Sequence, residues 1–148
     1  MGTRSLTFIY EGTPDSREPL VCFYRQHDGY LEGHGKQLGE FLAGMTLVNG
    51  YGLGDKPGTL ANGAGCLAAQ IVAHFKNAAG IGGIYIQRFN ERSDSGQEFE
   101  YRVYISPTDI TIKVRDCYDS GHHLFQGTPQ QLLELTAKEK ENEYGTRT

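Results

Sequence analysis

The chain has 148 residues, near the commonest size of a single domain, and carries a formal charge of -4 with a pI of about 5.7. This weak acidity argues against a general nucleic-acid binder, which usually shows a basic surface, and we expect none. Twenty glycines, nearly twice the ordinary share, indicate tight turns or a site that needs close backbone approach. Because no apolar stretch resembles a secretory signal or a membrane span, we expect a cytoplasmic protein with no membrane partner.

The first half of the chain predicts a hairpin and two helices. Residues 5–10 alternate between apolar and polar positions, and residues 20–26 are apolar on both faces, which is typical of a strand inside a sheet. Residues 35–44 and 64–79 show helical spacing of apolar side chains, and the second of these is the clearer helix. The glycine-rich residues 45–62 between them predict a long loop, which in a small domain is usually functional or mobile.

The second half predicts three strands and a last helix. Residues 83–89, 98–106 and 109–116 are separated by short turns, so we expect an antiparallel meander with one solvated face. Residues 128–131 read Thr-Pro-Gln-Gln, a capping box that begins a helix. The charged residues 138–148 are expected to fray.

The predicted order of elements is therefore ββααβββα within one domain of residues 1–148. Strands that flank a helical pair favour an α+β fold, in which helices cover one face of an antiparallel sheet. The chain contains no linker composition and no internal repeat that would divide it.

The strongest candidate for a binding site is the polar segment of residues 25–36, RQHDGYLEGHGK, which leaves an inner strand and enters a helix. A rigid element that positions a polar loop is a favoured place for ligand groups, although such a segment can equally be a solvated turn. Its side chains could contact phosphates, fix the orientation of a ligand and stack on a base. The candidate ligand-binding residues are Arg25, His27, Asp28, Tyr30, His34 and Lys36.

A second candidate segment is rich in glycine, since eleven of the twenty glycines lie between Arg25 and Cys66. Glycines just before the second helix would let a phosphate or carboxylate approach the N–H groups at the helix start. They can also serve tight helix–sheet packing alone, and neither a P-loop nor a dinucleotide fingerprint is present. The candidate residues of this segment are Asn49, Tyr51, Asn62 and Gly63.

Metal binding and thiol catalysis are weaker alternatives. His27 and His34 with Asp28 or Cys66 could assemble a metal site, but no compact ligand spacing supports one, so we expect neither a metal nor a cofactor. Cys66 lies near a helix start, which lowers a thiol pKa, yet a buried structural cysteine is the commoner case. The three cysteines form no CxxC pair, which fits a reducing cytoplasm.

Five stretches carry a family resemblance: MGTRSLT at residues 1–7, PLVCFYRQHDGY at 19–30, GHG at 33–35, ANGAGCLAAQ at 61–70 and GGIY at 82–85. Together they resemble a family of small bacteriophage and bacterial proteins to which no activity is assigned. The resemblance covers residues 1 to about 115. It implies a small cytoplasmic protein encoded by a phage, and it transfers no catalytic residue.

These observations predict a small-molecule-binding protein for an anionic, phosphate-bearing, nucleotide-like ligand. A phage setting extends this to a sponge that sequesters a host immune signal. Two alternatives stay open: a hydrolase or phosphodiesterase that uses His27, His34 and Asp28, and a phage-encoded inhibitor that binds a host defence protein. Because such ligand sites often form between subunits, we also expect a homo-oligomer.

Overall fold

The computed structural model describes residues 2–12, 18–50, 59–79, 83–89, 95–118 and 122–145, except for the side chains of residues 78–79 and 139–145. These residues contain eight strands, three α-helices and a π-helical turn at Leu31–Gly35. None of the described helices is long and apolar enough to cross a membrane. The other elements are β1 Ser5–Glu11, β2 Val21–Arg25, α1 Lys36–Ala43, β3 Thr46–Val48, β4 Leu60–Asn62, α2 Gly63–Ala79, β5 Ile84–Gln87, β6 Phe99–Ile105, β7 Ile110–Asp116, β8 His122–Gly127 and α3 Pro129–Gly145.

Six strands form one mixed sheet in the order β5-β2-β1-β6-β7-β8. Strands β1 and β6 run parallel, and the other neighbouring pairs of this sheet are antiparallel. Strands β3 and β4 form a separate parallel pair. The combination of helices with a mostly antiparallel sheet confirms the predicted α+β class.

The order of the elements differs from the predicted ββααβββα. The segment of residues 45–62, predicted as a loop, contains β3 and β4, and β8 follows β7 where the sequence predicts no strand. The predicted meander differs as well, because β5 pairs with β2 at the sheet edge while β6 pairs with β1. Periodicity identifies a strand, but its partner depends on burial against strands that are distant in the sequence.

The main hydrophobic cluster is shared by one face of the six-stranded sheet and the three helices. Each large side chain that it buries stabilises the fold by roughly 1.5–3 kcal/mol relative to an exposed position. Its members include Ile9, Phe23, Leu38, Leu67, Ile71, Phe75, Tyr101, Val103, Ile112 and Leu132.

A smaller cluster of Leu6, Phe8 and Cys22 lies on the opposite face of the sheet. Phe89, in the connection between β5 and β6, packs edge to face on Phe8 with ring centroids 6.0 Å apart. The face of β6 that alternation predicts as solvated is therefore partly covered, and Glu100 on this face is only 7% exposed.

The start of α3 matches the predicted capping box. The backbone N–H of Gln131 donates to Thr128 Oγ1 at 3.1 Å, and the backbone N–H of Thr128 donates to Gln131 Oε1 at 2.9 Å. Pro129 is the first helical residue, where a backbone N–H would have no acceptor within the helix. The helical backbone continues to Gly145, within the segment for which the sequence predicts fraying.

Thr128→Ala removes the hydroxyl half of this capping box. We expect the free energy of unfolding to fall by about 1 kcal/mol, because the N–H of Gln131 loses its acceptor. Urea unfolding followed by circular dichroism measures the change. Thr128→Ser keeps the hydroxyl and is the matched control, and equal stability of the two variants would contradict the capping role.

Candidate functional site

A buried polar network joins β1, β2 and the π-helical turn. Arg25 at the end of β2 is 6% exposed, and His34 in the turn is fully buried. Arg25 Nη1 lies 3.1 Å from His34 Nδ1 and donates to Gln37 Oε1 at 2.6 Å. Arg25 Nε donates to the carbonyl oxygen of His27 at 2.7 Å, and His34 Nε2 lies 2.8 Å from Thr7 Oγ1. Segments that are distant in the sequence are thus held together by hydrogen bonds between buried groups.

His34 is neutral in this network. Burial, with a smaller contribution from the charge of Arg25, lowers the pKa of His34 to about 3. Because a guanidinium can only donate, Nδ1 is the acceptor and Nε2 carries the proton that is donated to Thr7 Oγ1. The imidazole also packs against Phe75 and Tyr101, at centroid distances of 4.8 Å and 4.7 Å. With both ring nitrogens engaged, His34 has no free nitrogen to accept a proton from a substrate.

The turn that positions His34 depends on a close approach between two backbone segments. The N–H of His34 donates to the carbonyl oxygen of Asp28 at 2.7 Å. Asp28 has a φ of 61°, in the left-handed region that aspartate tolerates better than most residues. A Cβ at Gly33 would collide with the same carbonyl oxygen, so this position requires glycine.

The outer rim of the network is exposed at His27, Asp28 and Tyr30. The hydroxyl of Tyr30 donates to Asp28 Oδ1 at 3.2 Å, and this hydrogen bond raises the pKa of Tyr30. Arg25 Nη2 lies 4.0 Å from Asp28 Oδ2, whose side chain is 56% exposed, so solvent screens the ion pair. Lys36 lies 3.9 Å from Glu40 on α1. Because solvent screens the pair with Asp28, the charge of Arg25 is met mainly by neutral acceptors. Burial lowers the pKa of Arg25.

The two predicted ligand segments lie at opposite ends of the sheet. Arg25 pairs with Ser5, the first residue of β1, whereas Asn49 and Gly63 line a cavity together with Glu11, the last residue of β1. The seven extended residues of β1 separate these two ends by roughly 20 Å. The described residues therefore form two separate candidate sites.

A cavity of about 400 Å³ lies at the carboxyl ends of β1, β3 and β6, where α2 begins. This volume falls within the range of roughly 300–1,000 Å³ that is typical of small-molecule sites. Asn62 Oδ1 accepts the backbone N–H of Gly50 at 2.9 Å and so ties β4 to the chain that leaves β3. The predicted residue Tyr51 lies outside the described residues. The cavity is lined by Glu11, Gly12, Val48, Asn49, Gly63, Ala64, Ile105, Ser106 and Pro107.

The start of α2 presents backbone donors beside this cavity. The first N–H groups of a helix have no intrahelical acceptor and carry partial positive charge. Gly63 has a φ of 81°, and a Cβ at Gly63 or Gly65 would meet no atom of the described residues within 4 Å. Tight helix–sheet packing therefore does not account for these two glycines, and the positive φ explains glycine at position 63 by itself.

Four polar residues of the two sites were not recognised from the sequence. Glu11 and Ser106 reach the cavity because the ends of the parallel strands β1 and β6 lie side by side. Thr7 and Gln37 complete the network around Arg25. A threonine at a buried strand position is the one sequence signal for Thr7, while the other three depend on tertiary contacts.

The cysteines differ in exposure. Burial raises the pKa values of Cys22 and Cys117 to about 11, so both thiols are protonated at pH 7. Cys66, expected in the core, is exposed on α2, and its Sγ lies 3.6 Å from Gln70 Oε1.

Among the described residues, no group of three or more His, Cys, Asp and Glu side chains could hold a metal ion.

Comparison with known proteins finds no matching protein family, no matching curated protein and no matching solved structure. The functional argument therefore depends on the residues and geometry of the described sites.

The buried His34 makes stability depend on pH. Its pKa is lowered on folding from 6.5 to about 3, so the unfolded chain binds more protons between these values. The stabilisation is complete above pH 6.5 and decreases as the pH falls toward 3. We expect a loss of about 2 kcal/mol between pH 7 and pH 5, measured by urea unfolding at several pH values.

Two variants and a spectrum assign this pH dependence to His34. His34→Gln removes the buried titratable group and should flatten the profile, whereas His74→Gln replaces an exposed histidine of α2 and should leave it unchanged. Because His34→Gln can also disturb folding, NMR titration of the wild-type histidines provides a direct reading. Protonation of the His34 imidazole near pH 6 in the folded protein would contradict the burial argument.

Proposed function

We propose that this protein binds a small, phosphate-bearing, nucleotide-like molecule in the cavity at the start of α2. The observation that carries the proposal is a cavity of about 400 Å³ lined by Gly63 and Ala64, where the first N–H groups of the helix lie. Phosphate groups suit such donors, because the N–H groups and the helix dipole both favour an anion.

The rest of the cavity suits the non-phosphate part of a nucleotide. The amide of Asn49 can both donate and accept hydrogen bonds at a base edge, and the carboxylate of Glu11 can accept hydrogen bonds from ribose hydroxyl groups. Val48, Ile105 and Pro107 supply apolar surface against which a sugar or base can pack.

Binding without cleavage is favoured by the chemistry of the lining. The described residues that line the cavity include no histidine, cysteine or lysine, and Glu11 is their one ionisable side chain. Ser106 Oγ accepts the backbone N–H of Thr108 and of Asp109, which fixes it in a turn. The hydrolase alternative requires His34, whose two ring nitrogens are both engaged, and it stays a prediction.

The resemblance to phage proteins supplies a role for such binding. A small protein that holds a nucleotide signal intact lowers its free concentration in the cytoplasm of a bacterial host. In this proposal the protein is a sponge in the conflict between phage and host, and it acts as a homo-oligomer. Light scattering on the purified protein measures the oligomeric state.

Isothermal titration calorimetry against cyclic nucleotides, nucleoside monophosphates and ADP-ribose tests the proposal. We expect at least one of them to bind with a Kd below about 100 μM. After heat denaturation of the protein, chromatography should recover that ligand intact, whereas reaction products would favour the hydrolase. If none of these ligands gives a heat of binding at this concentration, the proposal is contradicted. The alternative that then remains is an inhibitor that binds a host defence protein.

Glu11→Gln tests whether this cavity is the binding site. Loss of a nearby negative charge should tighten binding of inorganic pyrophosphate by about threefold, because the repulsion of its charges decreases. The variant should also lose any preference for ribose-bearing ligands, since the acceptor for their hydroxyl groups is weakened. Glu32→Gln, an exposed acid at the other end of the sheet, is the matched control, and identical effects of the two variants would place the ligand elsewhere.

A further inference from the structure

Three cations cluster on the sheet face opposite the main core. The alternation of side chains places Arg102 of β6 and Lys113 and Arg115 of β7 on this face, which is called the basic face below. In the strand register Arg102 lies directly opposite Lys113. Like charges directly opposite each other on antiparallel strands destabilise a sheet. Arg102 is held within the fold by a hydrogen bond with Tyr10 and by the ring of Phe8, whose centroid lies 5.1 Å from Arg102 Cζ, whereas Lys113 has no such contacts among those described.

The charge of the basic face is only partly neutralised. Glu100 Oε2 lies 3.2 Å from Arg102 Nη1, and Glu100 Oε1 lies 3.7 Å from Arg115 Nη2. Lys113 has no ion-pair partner among the described residues, and within the same residues Arg115 Nε has no hydrogen-bond acceptor. Among the described side chains of β6 and β7 on this face, three cations and one carboxylate leave a local positive excess, in a chain whose net charge is -4.

The basic face is accessible and has aromatic side chains near it. The side chains of Arg115 and Arg102 are 42% and 28% exposed. Tyr10 is partly buried beside Arg102 and stacks on Tyr104 with ring centroids 5.0 Å apart. Tyr118, two residues beyond the end of β7, is 70% exposed, and its hydroxyl donates to the carbonyl oxygen of Gly96 at 3.4 Å.

We propose that the basic face binds single-stranded nucleic acid, with its three cations on phosphates and with Tyr118 stacked on an unpaired base. Charge complementarity identifies a polyanion as the occupant. Exposed aromatic side chains beside cations are the features by which proteins hold single strands without reading their sequence. From the weakly acidic net charge we expected no general nucleic-acid binding. A net charge does not reveal a local excess of positive charge such as that of the basic face.

This inference is independent of the proposed nucleotide site. The cavity at the start of α2 is lined by Ile105, which belongs to the main cluster, whereas the basic face lies on the other side of the sheet. Glu11→Gln should therefore leave binding of nucleic acid unchanged, and a substitution on the basic face should leave binding of pyrophosphate unchanged.

Fluorescence anisotropy with a labelled single strand of about twelve nucleotides, over a series of salt concentrations, tests the inference. Three phosphate contacts predict a slope of about -2 for log K against log salt. Lys113→Gln should weaken binding about three- to fivefold and reduce the magnitude of the slope by about 0.7, while thermal melting should show no loss of stability. Lys138→Gln, an exposed lysine on α3, is the matched control and should bind like the wild-type protein.

Four results would overturn the inference. The first is no binding of the oligonucleotide at protein concentrations up to about 100 μM in low salt. The second is an equal loss of affinity in Lys113→Gln and Lys138→Gln, which would show that the contact is not local. The third is tighter binding of a polyglutamate peptide than of the oligonucleotide, which would identify an acidic protein as the partner. The fourth is equal affinity for a duplex, because paired bases cannot stack on Tyr118.

Discussion

One end of this molecule depends on the hydrogen bonds of the buried Arg25 guanidinium. A cation removed from water must have its donors satisfied, and the neutral His34, the amide of Gln37 and the carbonyl of His27 accept from it. These acceptors lie on different elements, so the single side chain fixes the end of β2 against the π-helical turn and the start of α1. Most of the polar segment of residues 25–36 therefore has a structural role. Ligand binding stays a prediction for the exposed rim at His27, Asp28 and Tyr30.

The parallel pairing of β1 and β6 creates the cavity in which we propose that a ligand binds. It places the carboxyl ends of two strands beside the start of α2 and so forms the cavity in which Glu11 and Asn49 meet. Crevices at the carboxyl ends of parallel strands are recurrent ligand sites, because side chains and helix N–H groups converge there. The same sheet separates this cavity from the basic face. The two sites that we propose for phosphate groups would therefore use different donors, which are backbone N–H groups in one case and side-chain cations in the other.

Local patterns predicted local structure well. The helix α2, the capping box of α3 and the hairpin of β1 and β2 all follow from residues close together in the chain, and all are present. The partner of β5 could not be predicted, because its four residues fit a meander with β6 as well as an edge position beside β2. The burial of Glu100 was hidden for the same reason, since Phe89 reaches this face of the sheet from the connection that leaves the edge strand.

By itself, the sequence determined the α+β class and the main helices, and it indicated two polar segments as candidate ligand sites, because spacing and composition are properties of neighbouring residues. The tertiary structure decided what these segments can do. It buried His34 as a neutral acceptor and placed Asn49 and Gly63 roughly 20 Å from Arg25. It also set Arg102 opposite Lys113. The first two outcomes depend on contacts between segments that are distant in the sequence, and such contacts are selected by burial of the whole sheet rather than by any local pattern. The register that sets Arg102 opposite Lys113 depends instead on the short turn between β6 and β7.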